Sequence, residues 1–179
     1  MKFEIGYNIP AKKGMKIKDV QTPCLLVDLK IFKNNLILMK EYLKSKKIKL
    51  RPHAKMHKSI DVAKYQIKYG GAEGICCQKV SEAEVFARSG IKDILITNQV
   101  CDQLKIDRLT KIPYLGCKIG CCVDNRQNIL DIQKFANKNN TYIDVYIEFD
   151  CGANRCGVKS ADDINSFYDL INDNANLNE

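Results

Sequence analysis

Apolar positions along this chain follow two periods that take turns. Short apolar runs of strand length are each followed by a longer stretch whose apolar residues recur three or four apart. Residues 1–22 stand outside the pattern: they are polar and irregular, with turn signals at Pro10 and Gly14. After Thr22 and Pro23 the pattern predicts a strand over 24–28, then a helix whose buried stripe is Phe32, Leu36, Met39 and Leu43. A strand over 48–55 and a helix over 60–69 come next, the helix stopped by Gly70 and Gly71. Further strand–helix pairs are expected at 74–77 and 81–89, at 93–97 and 101–110, and at 116–123 and 125–137. Ser81 is the expected cap of the first of these helices and Gly90 its stop. The last pair is a strand over 142–150 and a helix over 161–171, joined by a Cys-Gly-Ala-Asn-Arg-Cys-Gly loop at 151–157.

Strands alternating with helices at this spacing predict right-handed βαβ units around a parallel sheet. A doubly wound sheet and a (β/α) barrel both fit. Parity within two strands bears on the choice. Over 48–55, Ile48, Leu50 and Ala54 share one face, while Lys49, Arg51, His53 and Lys55 share the other. Over 142–150, Ile143, Val145, Ile147 and Phe149 oppose Tyr142, Asp144, Tyr146, Glu148 and Asp150. A central parallel strand normally reads apolar on both faces. A charged row suits a strand lining a ligand-filled lumen, and would also suit a solvent-facing edge strand.

At 179 residues the chain can bury a substantial core, but a complete eight-stranded barrel needs roughly 250 residues. A 45% hydrophobic and 28% charged composition is that of a globular protein. The net charge of +8 raises nucleic-acid binding. The lysines, however, are spread over helix-like segments such as 32–49 rather than gathered in a stripe with aromatics, so no nucleic-acid partner is expected. The nine cysteines include the adjacent pairs Cys76-Cys77 and Cys121-Cys122, and no C-x-x-C occurs. Neighbours on a strand face opposite ways and cannot share one tetrahedral zinc. These thiols read as small core residues in a reducing compartment. The first residues carry no apolar signal region and no apolar run approaches membrane-spanning length, so a cytoplasmic protein is expected.

Active sites of parallel α/β folds form at the carboxyl ends of the strands. That rule points to His53-Ala54-Lys55, to Gln78-Lys79 and to the stretch 150–155. A lysine beside other cations in a partly dry pocket more readily offers a neutral amine to an aldehyde. Lys55, closing its strand on the face of His53 and Arg51, is the first candidate, with Lys58 and Lys79 as rivals just past strand ends. Arg155 follows a strand in a loop with two glycines, where a guanidinium suits a phenolate or carboxylate. Gln78 either bonds a ligand or starts a helix, and Cys151 and Cys156 read as packing residues.

At RPHAKMHKS (51–59), GICCQKVSEAEVFARSGIKDILITN (74–98) and IEFDCGANRCGV (147–158) the sequence resembles the pyridoxal-phosphate enzymes of the alanine-racemase type (fold III). That group includes D-threonine aldolases, 3-hydroxy-D-aspartate aldolases and eukaryotic-type D-serine dehydratases. The likeness runs from about Gly6 to Val158, and the opening GYNIP with HAKMHKSIDVAK looks closest to the 3-hydroxy-D-aspartate aldolases. The resemblance implies that Lys55 is the Schiff-base lysine and that Arg155 contacts the 3-oxygen of the pyridine ring. It places Gln78 and His53 at the cofactor site, and His57 in the same motif without a role. The implied reaction is cleavage of a D-3-hydroxyamino acid: 3-hydroxy-D-aspartate to glycine and glyoxylate, or D-threonine to glycine and acetaldehyde. Dehydratase-type β-elimination, racemisation, and an inactive fragment that binds the cofactor weakly are the alternatives.

The resemblance also sets the count of strands. Residues 1–28 would belong to a second, β-rich domain, and 29–179 to a partial cofactor-binding barrel with about five of eight strands. The glycine-rich segment that holds the cofactor phosphate has no counterpart here. Nor do the histidine and acidic ligands of a divalent metal (Mg or Mn). The chain is therefore expected to be a truncated or partial product, and the full-length enzyme a homodimer.

Overall fold

The computed structural model describes residues 11–178; the expected turn at Pro10 and the first residues of the resemblance lie outside them. Five strands form one sheet: β1 (Ile75–Cys77), β2 (Asp93–Ile96), β3 (Lys118–Val123), β4 (Ile143–Ile147) and β5 (Leu177–Asn178). They lie in chain order, each parallel to the next. Six α-helices accompany them: α1 (Leu29–Lys46), α2 (Ile60–Gly70), α3 (Val80–Arg88), α4 (Gln103–Leu109), α5 (Arg126–Lys138) and α6 (Ala161–Asn172).

Strand order decides between the two architectures that the sequence leaves open. Right-handed crossovers put every helix on the same face when parallel strands add one after another in one direction, and a doubly wound sheet requires a reversal of that order. No reversal occurs here, and the sheet is the wall of an incomplete (β/α) barrel. The helix-facing residues Ile75, Cys77, Ile94, Ile96, Ile119, Val123, Ile143 and Val145 are at most 2% exposed and form the core with α3, α5 and α6. The alternate residues form the inner face, where Asp93, Lys118, Asp144 and Tyr146 stand among Cys76, Leu95, Gly120 and Cys122. At its base Arg51 grips Asp93 with two hydrogen bonds of 2.6 and 3.0 Å, and Lys118 meets Asp144 at 2.9 Å. Asp93 and Lys118 are register partners, so these charges alternate in sign across the floor of the half-barrel.

Helix starts follow side-chain caps. The oxygens of Asp28, Ser59, Asp102, Asn125 and Ser160 each accept a backbone N–H from the first turn of the helix that follows. Gly71, at φ +71°, ends α2 as expected. Ser81 is not a cap: α3 begins at Val80, and the Glu82 carboxylate reaches back to the Gln78 N–H at 2.9 Å in its place.

Three strand expectations change. Residues 24–28 form no strand; Leu25, Leu26 and Val27 are 98, 58 and 58% exposed, and a strand needs a partner that the described residues do not provide. Over 48–55 the ladder shrinks to one bridge, His53 with Cys76. Pro52 has no N–H to give, and the chain turns at once into a 3₁₀ turn, Ala54–Met56. Lys55 therefore sits in a turn rather than on a strand face. The short strand β5 has no forecast in the sequence and pairs with Ile143 and Asp144.

Candidate active site

Every candidate residue lies at the carboxyl edge of the sheet, where the chain leaves the strands. His53 is the last residue paired to β1, and its ring turns back on the loop that it opens. Its Nδ1 accepts the Lys55 N–H at 3.3 Å and its Nε2 lies 3.0 Å from the Thr97 hydroxyl. Thr97 follows β2 and packs against the end of β1, its N–H reaching the Cys77 carbonyl at 3.0 Å. Burial, and then the charge of Lys55, lower the affinity of His53 for a proton, with Glu82 opposing. His57 repeats the device: Nδ1 accepts the Ser59 N–H at 3.0 Å, while its buried Nε2 faces the equally buried Gln66 side chain. Burial lowers its proton affinity too.

The lysines of this loop separate by their partners. Lys58 lies 3.6 Å from Glu82. Burial raises the Glu82 carboxyl, but the Gln78 N–H and then Lys58 outweigh it and hold the group below its ordinary value. The Lys55 residue is exposed rather than set in the partly dry pocket that its position suggested and, among the described residues, has no hydrogen-bond or ion-pair partner on its side chain. Gln78 is exposed at the end of β1, its carbonyl accepting from Asn98 at 3.0 Å. With Lys79, Ser81, Gln99, Asp102 and Lys105 it lines a cleft of about 590 Å³ between the starts of α3 and α4.

The loop after β4 is built from below. Asp150 accepts the N–H groups of Gly152 and Asn154 at 3.0 and 2.9 Å, and these bonds hold its carboxyl below the usual range, the Asn154 N–H most of all. Asp124, at the end of β3, accepts the Gly157 N–H at 2.9 Å. Phe149 bridges to Val158, so both limbs close on one another and Arg155 stands exposed at the turn. Its guanidinium has no side-chain partner among the described residues.

Arg155 and Lys55 thus share the mouth of one sheet but lie in separate loops, one before β1 and one after β4, and no contact joins them. Sequence reasoning placed all four candidates on this edge. It overlooked Thr97, Glu82, Asp124 and Glu148, which do the local bonding. Glu148 accepts from Gln99 at 2.7 Å on the inner face beside Cys122, whose thiol burial and then this carboxylate push up to about 11. The position of Thr97 at the carboxyl end of a predicted strand was the available signal for it. No group of three or more His, Cys, Asp or Glu side chains among the described residues could hold a metal ion. No described helix is long and apolar enough to cross a membrane.

The chain is similar to proteins of known activity. It is 51% identical over 156 residues to the 3-hydroxy-D-aspartate aldolase of Paracoccus denitrificans, a match covering 87% of this chain and 40% of that one. It is 42% identical over 149 residues to the D-threonine aldolase of an Arthrobacter species, covering 83% and 39%. The crystal structure of D-threonine aldolase from Filomicrobium marinum superposes with a TM-score of 0.92 at 39% identity, over 96% of this chain and 46% of that one. The chain thus spans about 40% of the length of the curated relatives that it matches. Residues 27–179 match the model of the alanine racemase N-terminal domain. With that match on a one-directional parallel sheet, the chain belongs to the alanine racemase N-terminal domain family.

Proposed function

We propose that this chain carries the lysine-bearing part of a pyridoxal-phosphate-dependent aldolase. Such an enzyme cleaves a D-3-hydroxyamino acid: 3-hydroxy-D-aspartate to glycine and glyoxylate, or D-threonine to glycine and acetaldehyde. The family implies the cofactor, and the identity to the two aldolases supports the reaction. The observation that carries the reading is the difference between neighbouring lysines: Lys58 is paired with Glu82, while Lys55, exposed in the turn after the first bridge to the sheet, has no side-chain partner among the described residues.

The donor set fits the cofactor. Lys55 would hold its aldehyde carbon, Arg155 would meet the ring oxygen with a paired hydrogen bond, and Gln78 would line the site. Bound there, the pyridine ring supplies an electron sink for the carbon whose bond is broken. The chain's own part is to present an amine, to neutralise an oxyanion and to keep carboxylates from both. Glu82 and Asp150 are tied to backbone N–H groups of their own loops, and neither carboxylate pairs with Lys55. A divalent metal (Mg or Mn), also implied by the resemblance, finds no ligand set among the described residues.

Residues 1–28 are assigned to a second, β-rich domain and 29–179 to the barrel, which the exposure of Leu25, Leu26 and Val27 supports. A cytoplasmic homodimer fits this reading, since nine free thiols suit a reducing compartment.

Borohydride trapping with pyridoxal 5′-phosphate, followed by peptide mapping, tests the site. Label on Lys55 is expected, and label on Lys58 or Lys79 with Lys55 unmodified would defeat the reading. Product analysis tests the reaction, since β-elimination would release ammonia and a 2-oxo acid, and racemisation the mirror-image amino acid, in place of glycine and an aldehyde.

A further inference from the structure

We infer that His53 and Thr97 are positioning residues that hold the turn presenting Lys55, and that the His53 ring does this as the neutral Nε2–H tautomer. The inference rests on the assignment of Lys55 as the cofactor amine.

The direction of the hydrogen bonds decides the tautomer. A backbone amide can only donate, so the Lys55 N–H at 3.3 Å requires a lone pair on Nδ1 of His53. The proton of a neutral ring is then on Nε2, where it is donated to the Thr97 hydroxyl at 3.0 Å. Accepting there on one of its lone pairs, the Thr97 hydroxyl donates its own hydrogen to the Cys77 carbonyl at 3.4 Å. One sense of donation runs from the Lys55 amide through the imidazole and the hydroxyl to the last carbonyl of β1. An added proton on Nδ1 would set two donors against each other, so the arrangement excludes the imidazolium. The lowering of the proton affinity of His53 by burial and by the Lys55 charge works in the same direction.

The arrangement has a consequence for Lys55. The backbone of 54–56 is a 3₁₀ turn with His53 as its cap, so the His53 bond sets the direction in which the Lys55 side chain leaves the sheet. Thr97 in turn sets the plane of the ring from a neighbouring strand, 44 residues away in sequence. With one ring nitrogen on Lys55 and the other on Thr97, His53 has none left for a ligand. Its part is to orient the amine rather than to bind what the amine binds.

Two measurements test this. On the unmutated chain, long-range proton–nitrogen correlation spectra near neutral pH should show His53 neutral with its proton on Nε2. A ring protonated on Nδ1, alone or as the imidazolium, overturns the inference without any variant having to fold. The second measurement is the rate of borohydride trapping at Lys55 with pyridoxal 5′-phosphate, with label on Lys58 and Lys79 as an internal reference. Thr97→Val keeps the shape but removes the acceptor and should slow labelling of Lys55 by about two- to tenfold, the worth of one hydrogen bond. Thr97→Ser, which restores the hydroxyl, should recover the rate. Equal rates at Lys55 in the unmutated and Thr97→Val chains sink the inference alone. An unmutated chain that takes no label at Lys55 sinks the cofactor reading and this inference with it.

Discussion

At the scale of single residues, the two histidines make a pH dependence that can be worked out in sign. Both accept a backbone N–H on Nδ1 two residues further along, and both bind a proton less readily than the ordinary value near 6.5. Between 6.5 and the lower folded-state values, the unfolded chain holds more protons than the folded one. Stability against unfolding therefore rises with pH across that window. The stabilisation from the neutral rings is fully present above 6.5 and is lost as the pH falls through the folded values. Thermal midpoints measured from about pH 7.5 down to pH 5 should decline, and His57→Gln should flatten the decline because a glutamine amide does not titrate. A midpoint that holds constant or rises over that range would contradict the capping roles. The carboxylates act lower: Glu82 and Asp150 are held below their ordinary values, so their contribution disappears only under more acid conditions.

At the scale of elements, the loop after β4 offers a comparison of two glycines. Gly152 and Gly157 both have positive φ, +122° and +103°. A Cβ on Gly152 would meet nothing within 4 Å, whereas one on Gly157 would lie 2.7 Å from the Asp150 nitrogen and 2.8 Å from the Phe149 carbonyl carbon. Strain from φ alone is of order 1–3 kcal/mol, and only Gly157→Ala adds a backbone collision to it. Gly157→Ala should lower the melting midpoint further than Gly152→Ala and open the loop to proteolysis near Arg155; the reverse order would refute the geometry. Such loops also show where the sequence could be read. Helices α2, α5 and α6 stand within a few residues of expectation because their caps, Ser59, Asn125 and Ser160, are local signals. The alternation over 48–55 is real, yet it is not a strand, because Pro52 lacks a donor and His53 bends the chain into a turn. Residues 24–28 are apolar in the manner of a strand, but pairing depends on a neighbour that the local pattern does not encode. Likewise, nothing near Lys58 announces that Glu82 occupies it, or near His53 that Thr97 holds its ring; both partners come from later βα units.

At the scale of the molecule, what stands out is the exposed apolar side chains of residues 25–38. Leu25, Leu26 and Val27, then Leu29, Ile31, Ile37 and Leu38 of the first helix, are all more than half exposed, and no residue of α1 is buried. The helix packs on α2, through Phe32 against Tyr65 at 5.6 Å between rings and Leu36 against Gly70. So many large apolar side chains exposed along one segment favour association with another surface. The 179-residue chain by itself should therefore associate and bind an apolar dye. Replacing Leu25, Ile31 and Leu38 together by serine should suppress both while leaving the melting midpoint nearly unchanged, since exposed substitutions typically alter stability by less than about 0.5 kcal/mol each. A sharp fall in the midpoint would mean that the chain itself buries these side chains. The same isolated chain should show negligible aldolase turnover even where Lys55 takes the label, because capture of the cofactor aldehyde needs one amine. Cleavage also needs a base for the β-hydroxyl proton and a grip on the cofactor phosphate, and no residue at the described strand mouth has been assigned either task. Robust glycine release by the purified 179-residue chain would show that those groups are already within it.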